Sequence, residues 1–190
     1  MIGISGYART GKDTLSDSLC NIFINLGINA KKFAFANCLK EDINEFCLKN
    51  FNISSFTKDD DEKKIIRPIL VGYGEASRNK SRDFWIKRMS TFIDEKIFPI
   101  ISDVRYENEA DWILEKNGYI ISLDRKVKDE WIEAANNEEK LNSPIVRKKA
   151  CFHLHWLTLT NQKDIDKISE NLIEVLFSKK IQEWKATYPL

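Results

Sequence analysis

The nine residues Gly6-Tyr-Ala-Arg-Thr-Gly-Lys-Asp-Thr14 stand between an apolar run, Met1 to Ser5, and a segment carrying Leu15, Leu19, Ile22, Phe23 and Leu26 at helical spacing. A buried strand, a glycine-bearing turn and a helix in immediate succession constrain the fold more than any other part of the chain. Consecutive backbone N–H groups at a helix start converge on one concavity and carry partial positive charge, so such a turn holds an anion. Lys12 adds a full, mobile charge. The pattern resembles a Walker A loop, in which Gly6, Ala8, Arg9, Thr10, Gly11, Lys12, Asp13 and Thr14 would cradle nucleotide phosphates. An ordinary glycine turn is the plainer alternative. Asp13 takes the place of the hydroxyl residue that normally ligates magnesium, and Thr14 follows it. A carboxylate beside a triphosphate would repel it, so Asp13 is expected to point away or to act through magnesium-bound water.

The rest of the chain repeats the strand-then-helix order. Gly27 ends the first helix, a second strand is expected at Lys31 to Phe35, and Leu39, Ile43 and Phe46 mark the next helix. The acidic run Asp59 to Glu62 reads as a solvated loop, and residues 62–95 read as helical with interruptions around Gly72, Gly74 and Asn79. Ile97 to Ser102 is continuous and apolar, as in a buried parallel strand, and Ala110, Ile113 and Leu114 mark a helix after it. Tyr119 to Leu123 is the next strand, residues 125–149 are polar with little strand character, and Cys151 to Thr160 has β-type residues. Ile165, Ile168, Leu172, Val175 and Leu176 mark a closing helix. This alternation predicts an α/β, doubly wound parallel sheet covered on both faces. With 190 residues, a single domain is expected.

Thirty Lys and Arg against 29 Asp and Glu give a net charge of +1, so no global basic field draws the chain nonspecifically to nucleic acid. The longest clear apolar run, Ile97 to Ile101, is far short of the roughly 20 residues needed to cross a bilayer. The first residues lack the pattern of a signal peptide, which places the chain in a cytoplasm. Cys20, Cys38, Cys47 and Cys151 form no C-x-x-C pair and are expected to be reduced thiols.

Phe98-Pro-Ile-Ile-Ser-Asp103 supplies a second anchor. It resembles a Walker B strand, whose terminal carboxylate faces the crevice where such sheets bind ligands. Asp103 could hold magnesium, usually through water, or orient the substrate; its alternative is a helix N-cap. Arg105 is placed to neutralise charge on a transferring phosphoryl group. Only 8 residues are arginine against 22 lysine, yet Arg67, Arg78, Arg82, Arg88 and Arg105 share one stretch of the chain. That bias suggests a site for phosphate oxygens, with Arg88 its weakest member.

These segments together carry a family resemblance. The loop, then Phe33-Ala-Phe-Ala-Asn-Cys-Leu-Lys40, then Arg67, Gly74-Glu-Ala-Ser-Arg78 and Phe84-Trp85, then Ser102-Asp-Val-Arg-Tyr-Glu-Asn-Glu109, resemble the phage-type deoxynucleoside monophosphate kinases. The likeness runs from Met1 to about Arg125 and resumes at Leu159-Thr-Asn161. It implies a P-loop kinase domain over residues 1–190, with an acceptor-binding helical insertion at about 40–95 and a lid at about 125–149. It further implies ATP and Mg2+ on the loop, a deoxynucleoside monophosphate opposite, and the cytoplasm of an infected host cell if the source is viral. Phe35, Ala36 and Lys40 match the segment bordering the acceptor; Arg67, Arg78 and Trp85 match the insertion that grips its phosphate and base. Arg105 and Glu109 match the D-V-R-x-x-N-E segment, Arg125 opens the lid, and Asn161 follows the last strand where related kinases meet the adenine edge. Between Lys126 and Lys149 the likeness weakens, and this chain has Asn142-Ser-Pro-Ile-Val where members of the family often carry a His/Pro-Ser-Glu element.

The basic residues Lys126, Lys128, Arg147, Lys148 and Lys149 suit a lid that closes over ATP and excludes water, or else a solvated loop. His153 and His155 share one strand face without a third metal ligand nearby, which favours structural or surface roles. The leading reading is transfer of the γ-phosphoryl of ATP to a deoxynucleoside monophosphate. Other acceptors, phosphomevalonate or a modified base in DNA, stay open, as does a nucleotide-regulated binding protein. Oligomeric state is also open, a homodimer included.

Overall fold

Strand β1 (Ile2–Ser5) is buried at every residue, because its two faces meet different helices. Ile2 and Ile4 join one apolar core with Leu15, Leu19 and Phe23 of α1 (Lys12–Asn25). Gly3, between them, faces the other way: a Cβ there would fall 2.6 Å from Ile113 Cδ1 and 2.9 Å from Val104 Cγ2. The alternation of side chains along a strand thus puts helices on both faces of one sheet.

The computed structural model describes residues 1–156 and 161–190. Its elements run β2 (Ala30–Phe33), α2 (Phe35–Phe51), α3 (Asp60–Lys80), α4 (Phe84–Ser90), β3 (Phe98–Ile101), α5 (Glu107–Glu115), β4 (Tyr119–Val127), β5 (Glu130–Trp131), α6 (Asn137–Lys148), β6 (Phe152–Trp156) and α7 (Gln162–Thr187). Strands β2, β3, β1, β4 and β6 lie side by side in that order, all parallel, and β5 pairs antiparallel with the end of β4. The sheet is therefore the doubly wound α/β type. Residues 157–160 of the expected last strand, and the side chains of Val175 and Leu176, lie outside the described residues.

The chain divides into two compact units, Met1–Phe33 with Ile93–Leu190, and Ala34–Phe92. The first holds the sheet. Phe23 meets Phe98 at 5.0 Å between ring centroids, Phe98 meets Trp184 at 4.6 Å, and Phe177 meets Trp184 at 5.2 Å, which locks α1, β3 and α7 together. Each such ring contributes about 1.5–3 kcal/mol by burial. β4 continues past the expected Leu123 to Val127, because Lys128 and Asp129 both take positive φ, 52° and 65°, and close a two-residue hairpin to β5. The polar stretch 125–149 thus contains a strand end, a hairpin and a helix, none of which its composition announces.

The second unit is helical. Strand β2 ends at Phe33, so Phe35 opens α2 instead of closing a strand. The acidic run is not a loop: Asp59 caps α3, accepting from Asp61 N at 2.9 Å and Glu62 N at 3.0 Å, and Asp60, Asp61 and Glu62 form its first turn. Carboxylates at that end complement the helix dipole. Nor is α3 interrupted at Gly72 or Gly74. A Cβ on Gly74 would come within 2.9 Å of Leu39 Cδ1, so the missing side chain admits α2, and the Gly74 carbonyl accepts from Trp85 Nε1 at 3.3 Å. Arg88 pairs with Asp42 through Nε at 2.8 Å and Nη2 at 2.6 Å and lies over the Phe92 ring. It is a structural ion pair. Among the described residues, no helix is long and apolar enough to cross a membrane.

Candidate active site

The loop between β1 and α1 is fixed by two glycines that no other residue could replace in place. Gly6 has φ 144°, and a Cβ there would collide with the Leu123 carbonyl oxygen of β4. Gly11 has φ 96°, and its Cβ would strike the Trp156 ring, within 2.9 Å of Cε3. Arg9 adopts the left-handed region as well, at φ 66°. The Tyr7 carbonyl gathers the turn: it accepts from Thr10 Oγ1 at 2.8 Å, Thr10 N at 3.4 Å and Lys12 Nζ at 2.7 Å. Gly11 is the N-cap of α1 and supplies no side-chain cap, so the helix start offers its N–H groups outward.

Lys12 is drawn into the loop, and burial, reinforced by the Arg105 charge, lowers its pKa below the usual lysine value. Glu139, Asp13 and Asp103 oppose that shift, so all four groups bear on one ammonium. Asp13 is turned outward, 81% exposed and 3.6 Å from Lys32 Nζ, which also binds Asp17 at 2.6 Å. Thr14 is half-buried in the first turn of α1.

Asp103 and Arg105 lie in the connection from β3 to α5. The N-cap of α5 is Tyr106, so Asp103 is not the cap that the sequence left as its alternative. Glu109 is buried, and its Oε2 accepts from Arg105 N at 2.8 Å and Tyr106 N at 3.1 Å. Glu109 thus shapes the backbone that carries Arg105. Arg125, on β4, has a buried Nε without a hydrogen-bond partner, and Trp156, its register partner on β6, has a buried Nε1 in the same condition.

Phe35, Ala36, Lys40, Arg67, Arg78 and Trp85 belong to the helical unit, and Asn161 precedes α7. Trp85 is only 3% exposed, its N–H donates to Gly74 O, and its ring meets Phe84 edge-on at 4.9 Å, so it packs within the helical unit. Asn161 caps α7, accepting from Asp164 N at 3.0 Å while Asp164 accepts from Asn161 N. Phe35 is buried at the start of α2, Ala36 beside it is half-buried, and Lys40 Nζ lies 5.6 Å from the Phe56 ring centroid. Arg67 is exposed and Arg78 half-buried on α3, eleven residues and so about three turns apart, which puts them on one face. The basic stretch expected as a lid is largely paired: Lys149 binds Asp111 at 2.6 Å and Glu107 at 3.2 Å, Arg147 binds Asp124, and Lys126 lies over Trp131. His155 Nδ1 is 3.4 Å from Asp124.

Glu139 escaped the sequence reading. It sits in the first turn of α6, buried, with Oε2 accepting from the loop's Ala8 N at 3.2 Å and from Ala135 N at 3.1 Å. Its one sequence signal is local, an Asn136-x-x-Glu139 spacing that marks a helix start.

Among the described residues, no group of three or more His, Cys, Asp and Glu could by itself hold a metal ion. A carboxylate in the field of Lys12, as Asp103 is, suits an ion whose remaining ligands are phosphate oxygens and water.

A glycine-bearing turn at the end of the central strand, a lysine folded into it and a parallel 2-3-1-4 strand order define a P-loop kinase fold. The family model for phosphomevalonate kinase matches residues 4–118, more than half of the chain. The chain belongs to that family of phosphotransferases. No curated protein matches the chain in sequence. Similar solved structures include a shikimate kinase from Acinetobacter baumannii in complex with shikimate, 13% identical over 94% of this chain and 93% of that chain, TM-score 0.44. A shikimate kinase from Aquifex aeolicus is 16% identical over 92% and 98%, TM-score 0.49, and a sugar kinase from a Janibacter species is 7% identical over 93% and 95%, TM-score 0.40. Nothing about the acceptor follows from likenesses this distant.

Proposed function

We propose that the chain transfers the γ-phosphoryl group of ATP to the phosphate of a deoxynucleoside monophosphate. The observation that carries this reading is the electrostatic gathering of Lys12, Asp103 and Arg105 at a turn that opens α1 without a side-chain cap. Phosphoryl transfer needs alignment and charge neutralisation, and no covalent nucleophile from the protein. Lys12 and the loop N–H groups bind the phosphates of ATP. Arg105, held at its backbone by Glu109, meets charge on the transferring group. Asp103 would hold Mg2+ through water, and the bound ion would neutralise phosphate charge. Arg67 and Arg78 bind the acceptor phosphate, with Phe35, Ala36 and Lys40 beside the acceptor and Arg125 on the substrate side where the lid opens.

The family match favours a second acceptor, phosphomevalonate. Both candidates are phosphate monoesters and both products are diphosphates, so the same arginines serve either. Release of ADP from ATP, measured with each common deoxynucleotide and ribonucleotide monophosphate and with phosphomevalonate, separates them. Turnover with a deoxynucleoside monophosphate is expected. Turnover with phosphomevalonate alone would move the acceptor, and ADP release independent of every acceptor would replace the kinase reading with that of a nucleotide-regulated protein.

A further inference from the structure

Glu139 lies 131 residues from Ala8 in the chain, yet one carboxylate oxygen accepts from that loop amide. The same oxygen accepts from Ala135 N, and the other is 4.0 Å from Arg105 Nη1. The side chain is 5% exposed. A buried carboxylate is costly to desolvate unless hydrogen-bonded and paired, and these three contacts come from three separate segments: the phosphate loop, the β3–α5 connection and the start of α6. Helix capping explains only the contact with Ala135. The Asn136 side chain already caps α6 by accepting from Glu139 N at 2.9 Å, so the reach to Ala8 and Arg105 is additional.

We propose that Glu139 is a positioning residue for phosphoryl transfer, tying α6 to the phosphate loop and holding the Arg105 guanidinium beside it. Glu139 also keeps an anion in the field of Lys12, where it opposes the effect of the Arg105 charge. The part of the proposal that concerns turnover rests on the kinase reading; the tie between α6 and the loop does not.

The test compares Glu139→Ala, Glu139→Gln and Asn136→Ala in the full chain by amide hydrogen exchange without nucleotide, and then by steady-state kinetics. In Glu139→Ala, exchange at Ala8 is expected to rise about tenfold, the loss of one charge-assisted bond. Glu139→Gln keeps a carbonyl acceptor and is expected to stay within about threefold of the parent at Ala8. Asn136→Ala loosens the start of α6 and leaves Ala8 unchanged. In turnover, Glu139→Ala is expected to lower kcat about tenfold with the acceptor KM unchanged, and Glu139→Gln to recover most of it. If Ala8 exchanges at the parent rate in Glu139→Ala, or if Asn136→Ala accelerates it equally, Glu139 is only a helix cap and the proposal fails. If no acceptor supports turnover in the parent chain, the kinase reading fails and the exchange result still decides the tie.

Discussion

The phosphate loop and the helical unit 34–92 reach their structures by opposite routes. In the loop, backbone geometry dictates residue identity: Gly6 and Gly11 sit at positive φ against the Leu123 carbonyl and the Trp156 ring, so their identity can be read directly. In the helical unit, side chains decide, and residue type alone does not tell a packed position from an exposed one. Trp85 is core and Arg88 is an ion pair, whereas Arg67 stays exposed. A motif is legible where the chain must bend in one way; it is ambiguous where an ordinary helix can present the same residue to core or solvent.

The largest effect that could break this contrast is at Lys12. Lys12→Ala is expected to lower kcat by at least about 10²–10³-fold with the folded structure kept, because Lys12 contacts the loop carbonyl and not the apolar core. Turnover near the parent value under saturating ATP and acceptor would remove the loop from the chemistry.

Asp103→Asn comes next. Tyr106, not Asp103, caps α5, so thermal stability should hold while turnover falls about a hundredfold, partly recovering as magnesium is raised. Parent-like turnover across the magnesium titration would leave Asp103 without a catalytic role.

Arg67→Ala and Arg78→Ala sharpen the comparison from the helical side. Each should raise the acceptor KM by about 10–100-fold, the loss of one charge-assisted contact, with ATP affinity unchanged by calorimetry. A change confined to ATP would assign these arginines to the wrong ligand.

Gly11→Ala tests the backbone argument through stability. Strain at φ 96° and overlap with Trp156 should cost about 1–3 kcal/mol, read as a lower urea midpoint, whereas Gly72→Ala, whose Cβ would meet open space in α3, should be neutral or stabilising by about 1 kcal/mol. Equal effects at the two sites would abolish the distinction.

The smallest effect is in pH dependence. The lowered pKa of Lys12 means that the unfolded chain binds the more protons between the folded and unfolded values, so stability should rise with pH across that window. Lys12→Met should flatten this rise in a series of urea melts, and an unchanged slope would assign it to other groups.

The centre of the sheet was legible in the sequence because its strands are short apolar runs bounded by turn residues, as at Ile2–Ser5 and Phe98–Ile101. The acidic run Asp59 to Glu62 misled because the same residues suit a solvated loop and a helix N-terminus, and only the hydrogen bonds of Asp59 separate the two. The glycines of α3 misled because packing against Leu39 outweighs local propensity at Gly74. The hairpin after β4 rests on Lys128 and Asp129 at positive φ, which neither residue type signals strongly.

By itself, the sequence determined the strand–loop–helix that opens the chain and the order of strands and helices behind it, since hydrophobic period and glycine placement are local properties. Tertiary structure alone decided that Glu109 holds the backbone of Arg105 and that Glu139 reaches the loop across 131 residues. It also made Trp156 the wall that excludes a side chain at Gly11. Such contacts depend on which chain segments the sheet order brings together, and no local pattern of residues carries that information.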